Sequence, residues 1–443
     1  MNLELFVKEL SDLVIGWPLM IFVVAVSLLY TYVLGGVQFR YFFTAFKTTL
    51  FPSQKEAAKA GELSSFGAFI HTINSNLGNG SIAGMATAVY AGGPGSALWV
   101  VVFGFILMAV RFAEVYVSSL YEKAPNSVVG GPMLYLKDVI GGKYLAYAYA
   151  VCALIFGLLS GCGMQANSIQ VSLNTTWGIS PLVIATFLLF FILYILFGGA
   201  ERIVKISLAI VPVKVVVFVV SSALVLMYHY QNLLPALVLI VKSGFGVAAF
   251  GGGVLGFSLQ QIIGAGMTRS IFATESGLGS AAILFGSSSG NDGIKNGMMG
   301  MVSTFISTVV CFIVALCIVV SGVWNSGLNS TALTIAAFDT VFGSFGGWIV
   351  SFLSVSFGFG VLVSYAYVVR SVWLFLTNNR FDFVFAILYS LCAFGGALAS
   401  IVVVWDLCNI AVGITLAINL FGLVMLMPKI RKNVIQQLKH YKA

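Results

Sequence analysis

Residues Ile73 to Gly84 read INSNLGNGSIAG, a run of Gly, Asn and Ser between apolar flanks in a 443-residue chain that is 60% hydrophobic and only 8% charged. In lipid every backbone polar group must find a partner within the protein, and each one left unpaired costs several kcal/mol. A Gly in a helix interior costs about 1 kcal/mol relative to Ala. The segment centred on Gly78, Asn79 and Gly80 therefore reads as a break in a spanning helix, tolerated where it is buried and lines a site. An unwound segment frees carbonyls for a cation, and the half-helix that resumes turns N–H groups and a positive dipole end toward an anionic group. Asn76, Asn79 and Ser81 add side-chain donors and acceptors. The plainer reading is that these small residues serve close helix packing.

The flanks define the solvent. Mean hydropathy is +1.04 and apolar runs of about 20 residues recur, which predicts an all-α integral membrane protein. With 48 Gly and 37 Phe against 9 Pro, closely packed helices fit better than the short alternating segments of a barrel. Hydropathy predicts about eleven transmembrane helices, at 12–34, 65–91, 94–121, 144–172, 180–199, 203–228, 245–268, 296–321, 346–376, 381–404 and 407–427. The first run is too long for the apolar core of a signal peptide and reads as a retained span. The six Cys, at 152, 162, 311, 317, 392 and 408, fall inside apolar runs without C-x-x-C spacing and read as packing residues.

Charge sets the orientation. With the N-terminus outside and the C-terminus cytoplasmic, all but Lys8, Lys242 and Lys214 of the 22 Lys and Arg fall in or beside cytoplasmic loops, as the positive-inside rule requires. The net charge of +8 is this bias plus a basic tail over 428–443, so the expected partner is the headgroup layer of a plasma or inner membrane. No nucleic acid is expected, because the bases are scattered instead of forming one face. Oligomeric state is not legible, and a monomer is the working assumption.

Setting aside residues 1–64, with their extra N-terminal span and cytoplasmic linker, ten spans remain, five over 65–228 and five over 245–427. Five is odd, so the second set enters the membrane from the opposite side, the arithmetic of an inverted repeat. The first span of each set carries glycines, Gly78-Asn79-Gly80 and Gly251-Gly252-Gly253. Paired interruptions at matching positions point to a central binding site. Gly161, Gln165, Ser168 and Ser172 recur at helical spacing and make a small, polar stripe in another span, with Gln165 the candidate for that site.

Several motifs then resemble one known family. Leu77-Gly-Asn-Gly-Ser-Ile-Ala-Gly-Met-Ala-Thr-Ala88, Gly92-Gly-Pro-Gly95 and Arg111-Phe-Ala-Glu-Val115 are similar to the VGTGNIAGVATA, GGPG and KFAEV of the alanine/glycine:cation symporters, also called the sodium:alanine symporter family. Gly130-Gly-Pro-Met133, Gln165-Ala-Asn-Ser-Ile169 and Glu275-Ser-Gly-Leu-Gly-Ser-Ala281, the last like NEAGLGSA, extend the resemblance over about 340 residues. It implies the LeuT-type fold, five plus five inverted helices with an extra N-terminal span, and a secondary transporter importing a neutral amino acid of the alanine/glycine class with a cation, sodium by family. Substrate would meet Asn76, Gly78, Asn79, Gly80 and Ser81, the second break at Gly251, Gly252 and Gly253, and Gln165. Sodium would be sought around Asn74, Asn76, Leu77 and Ser81, one such site being formed by the carbonyls of Asn74 and Leu77 with hydroxyls from the eighth core helix.

The departures from the family bear on substrate and ion. Where the family's eighth core helix reads FSTILGWSYYGER, this chain has Phe359-Gly-Val-Leu-Val-Ser-Tyr-Ala-Tyr-Val-Val-Arg370. The Ser-Thr pair becomes Phe359-Gly360, and the Trp of the family's small pocket becomes Ser364. That substitution predicts a roomier pocket, open to a larger neutral amino acid such as glutamine, whose side chain Gln260 and Gln261 could address. Lys214 lies about eleven residues from either end of 203–228 and two residues after Pro212. A lysine at the bilayer centre costs about 2.5 to 3.5 kcal/mol on insertion scales, so it is a functional candidate. Its ammonium could stand where the hydroxyl pair is lost, beside Asn74, Leu77 and Gly360, and exchange of its proton could replace sodium. A structural lysine with sodium coupling elsewhere is the alternative.

Other chemistry is excluded or weak. Gly286-Ser-Ser-Ser-Gly290 matches G-x-S-x-G but sits in a loop without the strand-to-helix turn of a nucleophile elbow. His71, on the half-helix before the break, reads as a buried, hydrogen-bonded residue before a proton relay. With no H-E-x-x-H and no Walker loop, neither catalysis nor ATP-driven pumping by this chain alone is expected, and no cofactor beyond the coupling cation, Na+ or H+. An amino-acid or ion channel is the remaining class, but a channel favours rings of charge or carbonyls over paired breaks.

Overall fold

Ser64 opens the decisive helix. Its hydroxyl accepts the Gly67 N–H at 2.9 Å, an N-cap, and the helix runs Ser65–Asn76. In the computed structural model, residues 3–50, 63–121, 129–246, 258–290, 292–399 and 401–440 are described. Of the helices that precede this one, Leu3–Val14, Trp17–Val33, Val37–Arg40 and Phe42–Leu50, the apolar Trp17–Val33 is labelled α1, and Ser65–Asn76 is α2. After the break come α3, Met85–Gly92, and α4, Ser96–Ser118. α5, Gly142–Phe156, continues through a wide π-helical turn into α6, Met164–Trp177. α7 is Pro181–Phe197, α8 Gly199–Tyr228 and α9 Tyr230–Gly244. The second part comprises α10, Leu259–Thr274, α11, Ser280–Gly286, α12, Gly293–Val320, α13, Ser330–Phe342, α14, Phe345–Leu376, α15, Asp382–Leu398, and α16, Ile401–His440.

Among the described residues six stretches are long and apolar enough to cross a membrane: Ser96–Ser118, Gly142–Trp177, Lys205–Tyr228, Gly293–Val320, Phe345–Leu376 and Leu407–Leu438. Trp17–Val33, Pro181–Phe197, Ser330–Phe342 and Asp382–Leu398 are shorter apolar helices. The expected span 65–91 does not count as one long helix because the break divides it into α2 and α3. The expected span 245–268 differs more. Phe245 and Gly246 follow the end of α9, the described chain takes up again at Ser258, whose capping box with Gln261 starts α10, and the helix continues past Arg269 to Thr274. The expected second break, Gly251, Gly252 and Gly253, lies outside the described residues. α13 falls in what hydropathy leaves as a loop. Among the described residues the only strand-like pairing is the isolated bridge between Leu63 and Ser288.

Small residues set the closest helix approaches. A Cβ on Gly104 would strike Thr308, and one on Gly297 would lie 2.9 Å from the Phe112 ring, so α4 and α12 pack along their length. Gly163 and Gly396 bring α15 against the turn between α5 and α6 in the same way. This is the small-residue packing that replaces the hydrophobic effect in lipid. All six Cys are free. Within this packing α2 is surrounded by α8, α11, α12 and α14, and its last turn and the start of the break are buried among them.

Candidate substrate and cation site

α2 stops at Asn76. Leu77, at φ −87° and ψ 71°, leaves the helical region, and the chain resumes through a wide π-helical turn over Gly80–Gly84. The break therefore begins at Leu77, one residue before the Gly78-Asn79-Gly80 run that announces it. Gly78 is required by a close approach: a Cβ there would lie 2.7 Å from Val361 Cγ2 and 3.3 Å from Gln165 Oε1. The Asn79 N–H donates to Gln165 Oε1 at 3.4 Å, and Gln165 Nε2 donates to the Ser160 carbonyl at 3.3 Å. Ser354 donates to Asn79 Oδ1 and accepts from Ser172 at 2.8 Å. Ser81 donates to the Asn76 carbonyl at 3.4 Å, while Asn76 Nδ2 has no acceptor among the described residues.

Of these groups Asn76, Gly78, Ser160 and Gln165 line an inner pocket of about 30 Å³, together with Ser75, Gly80, Glu275 and Tyr365, whereas Asn79 and Ser81 lie outside its wall. That volume holds water, not a whole amino acid. A second cavity of about 780 Å³ lies beyond it, lined by Trp17 of α1, Thr87 of α3, Gln260 and Gln261 of α10 and Asn409 of α16, among others. Gln260 and Gln261 thus face this outer vestibule, and Gln261 Oε1 is engaged by the Ser258 N–H at 2.9 Å. Ser364 does not line the inner pocket; Val361 and Tyr365 do so for α14. The Ser364 hydroxyl lies 3.4 Å from Ser207 of α8, and Ser207 is in turn 3.4 Å from His71 Nδ1.

Behind the break the structure brings Asn74, Leu77, Lys214 and Gly360 together. Lys214 is fully buried. Its Nζ donates to the Leu77 carbonyl at 3.2 Å and sits 5.2 Å from the Phe357 ring centroid, close enough for attraction to the ring face. No carboxylate pairs with it among the described residues. Gly360 makes the space, since a Cβ there would lie 2.6 Å from Lys214 Nζ and 2.7 Å from Asn74 Oδ1. Asn74 Nδ2 donates to the Ser207 carbonyl at 3.1 Å, leaving its Oδ1 turned to the same point without a donor.

Two further groups escape a reading of motifs. Arg111 and Glu114 pair at 2.8 Å, both fully buried. Arg111 donates to the Thr274 carbonyl; Glu114 Oε2 accepts from Gly277 N–H at 3.1 Å and Gly279 N–H at 3.2 Å. Opposite charges three residues apart in an apolar run were the available signal. Arg269 is the other. Counting charges assigns it to a cytoplasmic loop edge, yet it is 8% exposed and its guanidinium lies against Gly80 and Gly84.

The helical core, the broken α2 and its polar lining define a secondary-transporter fold. A solved Na+-coupled sialic acid symporter, described in a substrate-bound outward-open state, superposes with a TM-score of 0.52 over 84% of each chain at 11% identity. The model of the sodium:alanine symporter family matches residues 1–443, and the chain belongs to that family. A transporter of uncharacterised function from Haemophilus influenzae is 30% identical over 100% of this chain and 96% of its own length. A sodium/alanine symporter of Methanococcus maripaludis is 28% identical over 96% and 95%. A probable sodium/glutamine symporter of Bacillus subtilis is 29% identical over 86% and 78%. The protein is an amino-acid transporter and not an enzyme.

Proposed function

We propose that the chain imports a neutral amino acid, alanine, glycine or a somewhat larger one such as glutamine, together with a cation. Alternating access would turn on the α2–α3 break and the segment 245–268, in a plasma or inner membrane with the N-terminus outside. The observation that carries this is the Leu77-Gly78 break itself: freed backbone and the Gln165 amide converge on one small pocket within the bundle. Sodium as co-substrate is supported by the family, with Asn74, Asn76, Leu77 and Ser81 the candidate oxygen donors. Replacing Gly78 by Val puts side-chain atoms against Val361 and Gln165. Uptake of labelled alanine and glutamine into vesicles should fall to background while the folded variant remains in the membrane; normal uptake would refute the assignment.

A second reading of the coupling is favoured by the Lys214–Leu77 bond of 3.2 Å. The ammonium takes the position at which the family's Ser-Thr hydroxyls are replaced by Phe359 and Gly360, so a fixed, protonatable cation stands in for one sodium. Uptake under an imposed pH gradient without sodium, parent against Lys214→Met, separates the two. Proton coupling through Lys214 predicts uptake by the parent and loss of its pH dependence in the variant. A parent that requires sodium, or a variant with unchanged pH dependence, excludes it.

A further inference from the structure

Two cavities, the outer vestibule of about 780 Å³ and the inner pocket of about 30 Å³, share two wall residues, Arg269 and Phe272 of α10. These two side chains stand where the two cavities adjoin. Arg269 is nine-tenths buried and has no carboxylate within ion-pair distance among the described residues; Glu275, on the same pocket wall, is instead engaged by the Ser280 hydroxyl at 2.7 Å. Its Nε lacks an acceptor, and the neighbour beside it is the Cys311 thiol. A Cβ on Gly80 would lie 2.8 Å from its Nη2, and one on Gly84 would overlap Nη1, so the π-helical turn is shaped around the guanidinium. Withdrawing a cation from water without a paired anion costs several kcal/mol, and the planar fork of Arg is suited to bidentate capture of a carboxylate.

We propose that Arg269 and Phe272 form the door between vestibule and break, and that the Arg269 guanidinium reads the carboxylate of an amino acid before it enters the inner pocket. This rests on the break being the transport site. An anion arriving in the vestibule gives the guanidinium the counter-charge it lacks. Pairing draws it from Gly80 and Gly84 and opens the inner pocket, which otherwise has no room for the ligand. A molecule of the same size without a carboxylate would find no partner in the vestibule, would not be retained there, and would leave the door shut. Arg269 would then be a specificity-determining residue for every substrate, whatever its side chain.

Thr87 is exposed and lines the vestibule, so Thr87→Cys in the full-length chain in vesicles reports on it. Its rates with an anionic sulfonate-bearing and a cationic trimethylammonium-bearing thiosulfonate are compared, then remeasured with L-alanine or L-alaninamide present. The anionic reagent should react about tenfold or more faster, an electrostatic preference expected of a nearby unpaired cation. Arg269→Gln should bring the ratio near unity, and Arg269→Lys should keep most of it, which separates a charge effect from misfolding. L-alanine should protect Thr87→Cys and L-alaninamide should not. An unchanged ratio in Arg269→Gln, or equal protection by the amide, overturns the proposal. Gly78→Val, which does not touch Arg269, separates this from the reading beneath it. Retained charge preference and protection, with uptake lost, support both. Uptake that survives Gly78→Val refutes the break while the Arg269 measurements still stand or fall alone.

Discussion

Arg111 and Lys214 are both fully buried cations in apolar helices, and they are held in opposite ways. Arg111 has a carboxylate at 2.8 Å, and that carboxylate is held by two backbone N–H groups at the α10–α11 connection. Lys214 has one carbonyl and an aromatic face. A cation whose counter-charge is built in is locked, because removing either partner strands the other. A cation left without one can change state or meet a mobile ion at small structural cost. The contrast separates a fastening between α4 and the α10–α11 connection from a buried ammonium that has no built-in counter-charge, the feature on which the proposed coupling role of Lys214 rests.

The strongest attempt to break the contrast is Glu114→Gln. It leaves Arg111 buried and uncompensated and weakens the hold on Gly277 and Gly279. Loss of one member of a buried pair costs about 3 to 5 kcal/mol, so the thermal midpoint in detergent should drop sharply and little folded protein should accumulate. A midpoint within a degree or two of the parent would show that the pair is not a fastening. Next in size is Gly360→Val, which pushes side-chain atoms onto Lys214 Nζ and Asn74 Oδ1. Overpacking of this kind costs about 1 to 3 kcal/mol. If the clash is with the ammonium, combining it with Lys214→Met should recover part of the loss, and thermal melts of the four proteins measure the coupling. Additive losses would mean that Gly360 answers to something other than Lys214.

The same contrast explains what was legible in the sequence. The break announced itself because Gly, Asn and Ser are costly in lipid, and Lys214 because a mid-span lysine is costlier still. Gly360 was legible only against a family pattern, and its role depends on which atom fills the space left by a missing Cβ. Arg111 with Glu114 was quotable as a motif but silent as a pair, since spacing shows adjacency on a helix and not burial. Arg269 was misassigned to a loop edge because hydropathy ends the apolar run at 268, whereas α10 carries it as a helical residue to Thr274. Ser364 read as a pocket residue by alignment, but a helix presents one face to the pocket, and Val361 and Tyr365 occupy it. Cavities shared between helices remote in sequence leave no local signature.

The smallest expected effect on stability is the most informative. Lys214→Met exchanges a buried, unpaired ammonium for an unbranched apolar chain that fills much of the same space. The gain is the removed desolvation cost. The loss is the donor to the Leu77 carbonyl, a buried acceptor worth about 1 to 3 kcal/mol if nothing replaces it. These oppose, so the melting midpoint should stay within a few degrees of the parent, far from the fall expected of Glu114→Gln. A bare Leu77 carbonyl and the unengaged Asn74 Oδ1 also leave two oxygens facing one point, a start on a sodium site. Sodium should therefore raise the midpoint of Lys214→Met more steeply than that of the parent, by the linkage that stabilises whichever state binds the ion. A midpoint collapse like that of Glu114→Gln would place Lys214 among the fastenings. Identical sodium dependence in both proteins would show that the ammonium does not stand where an ion could.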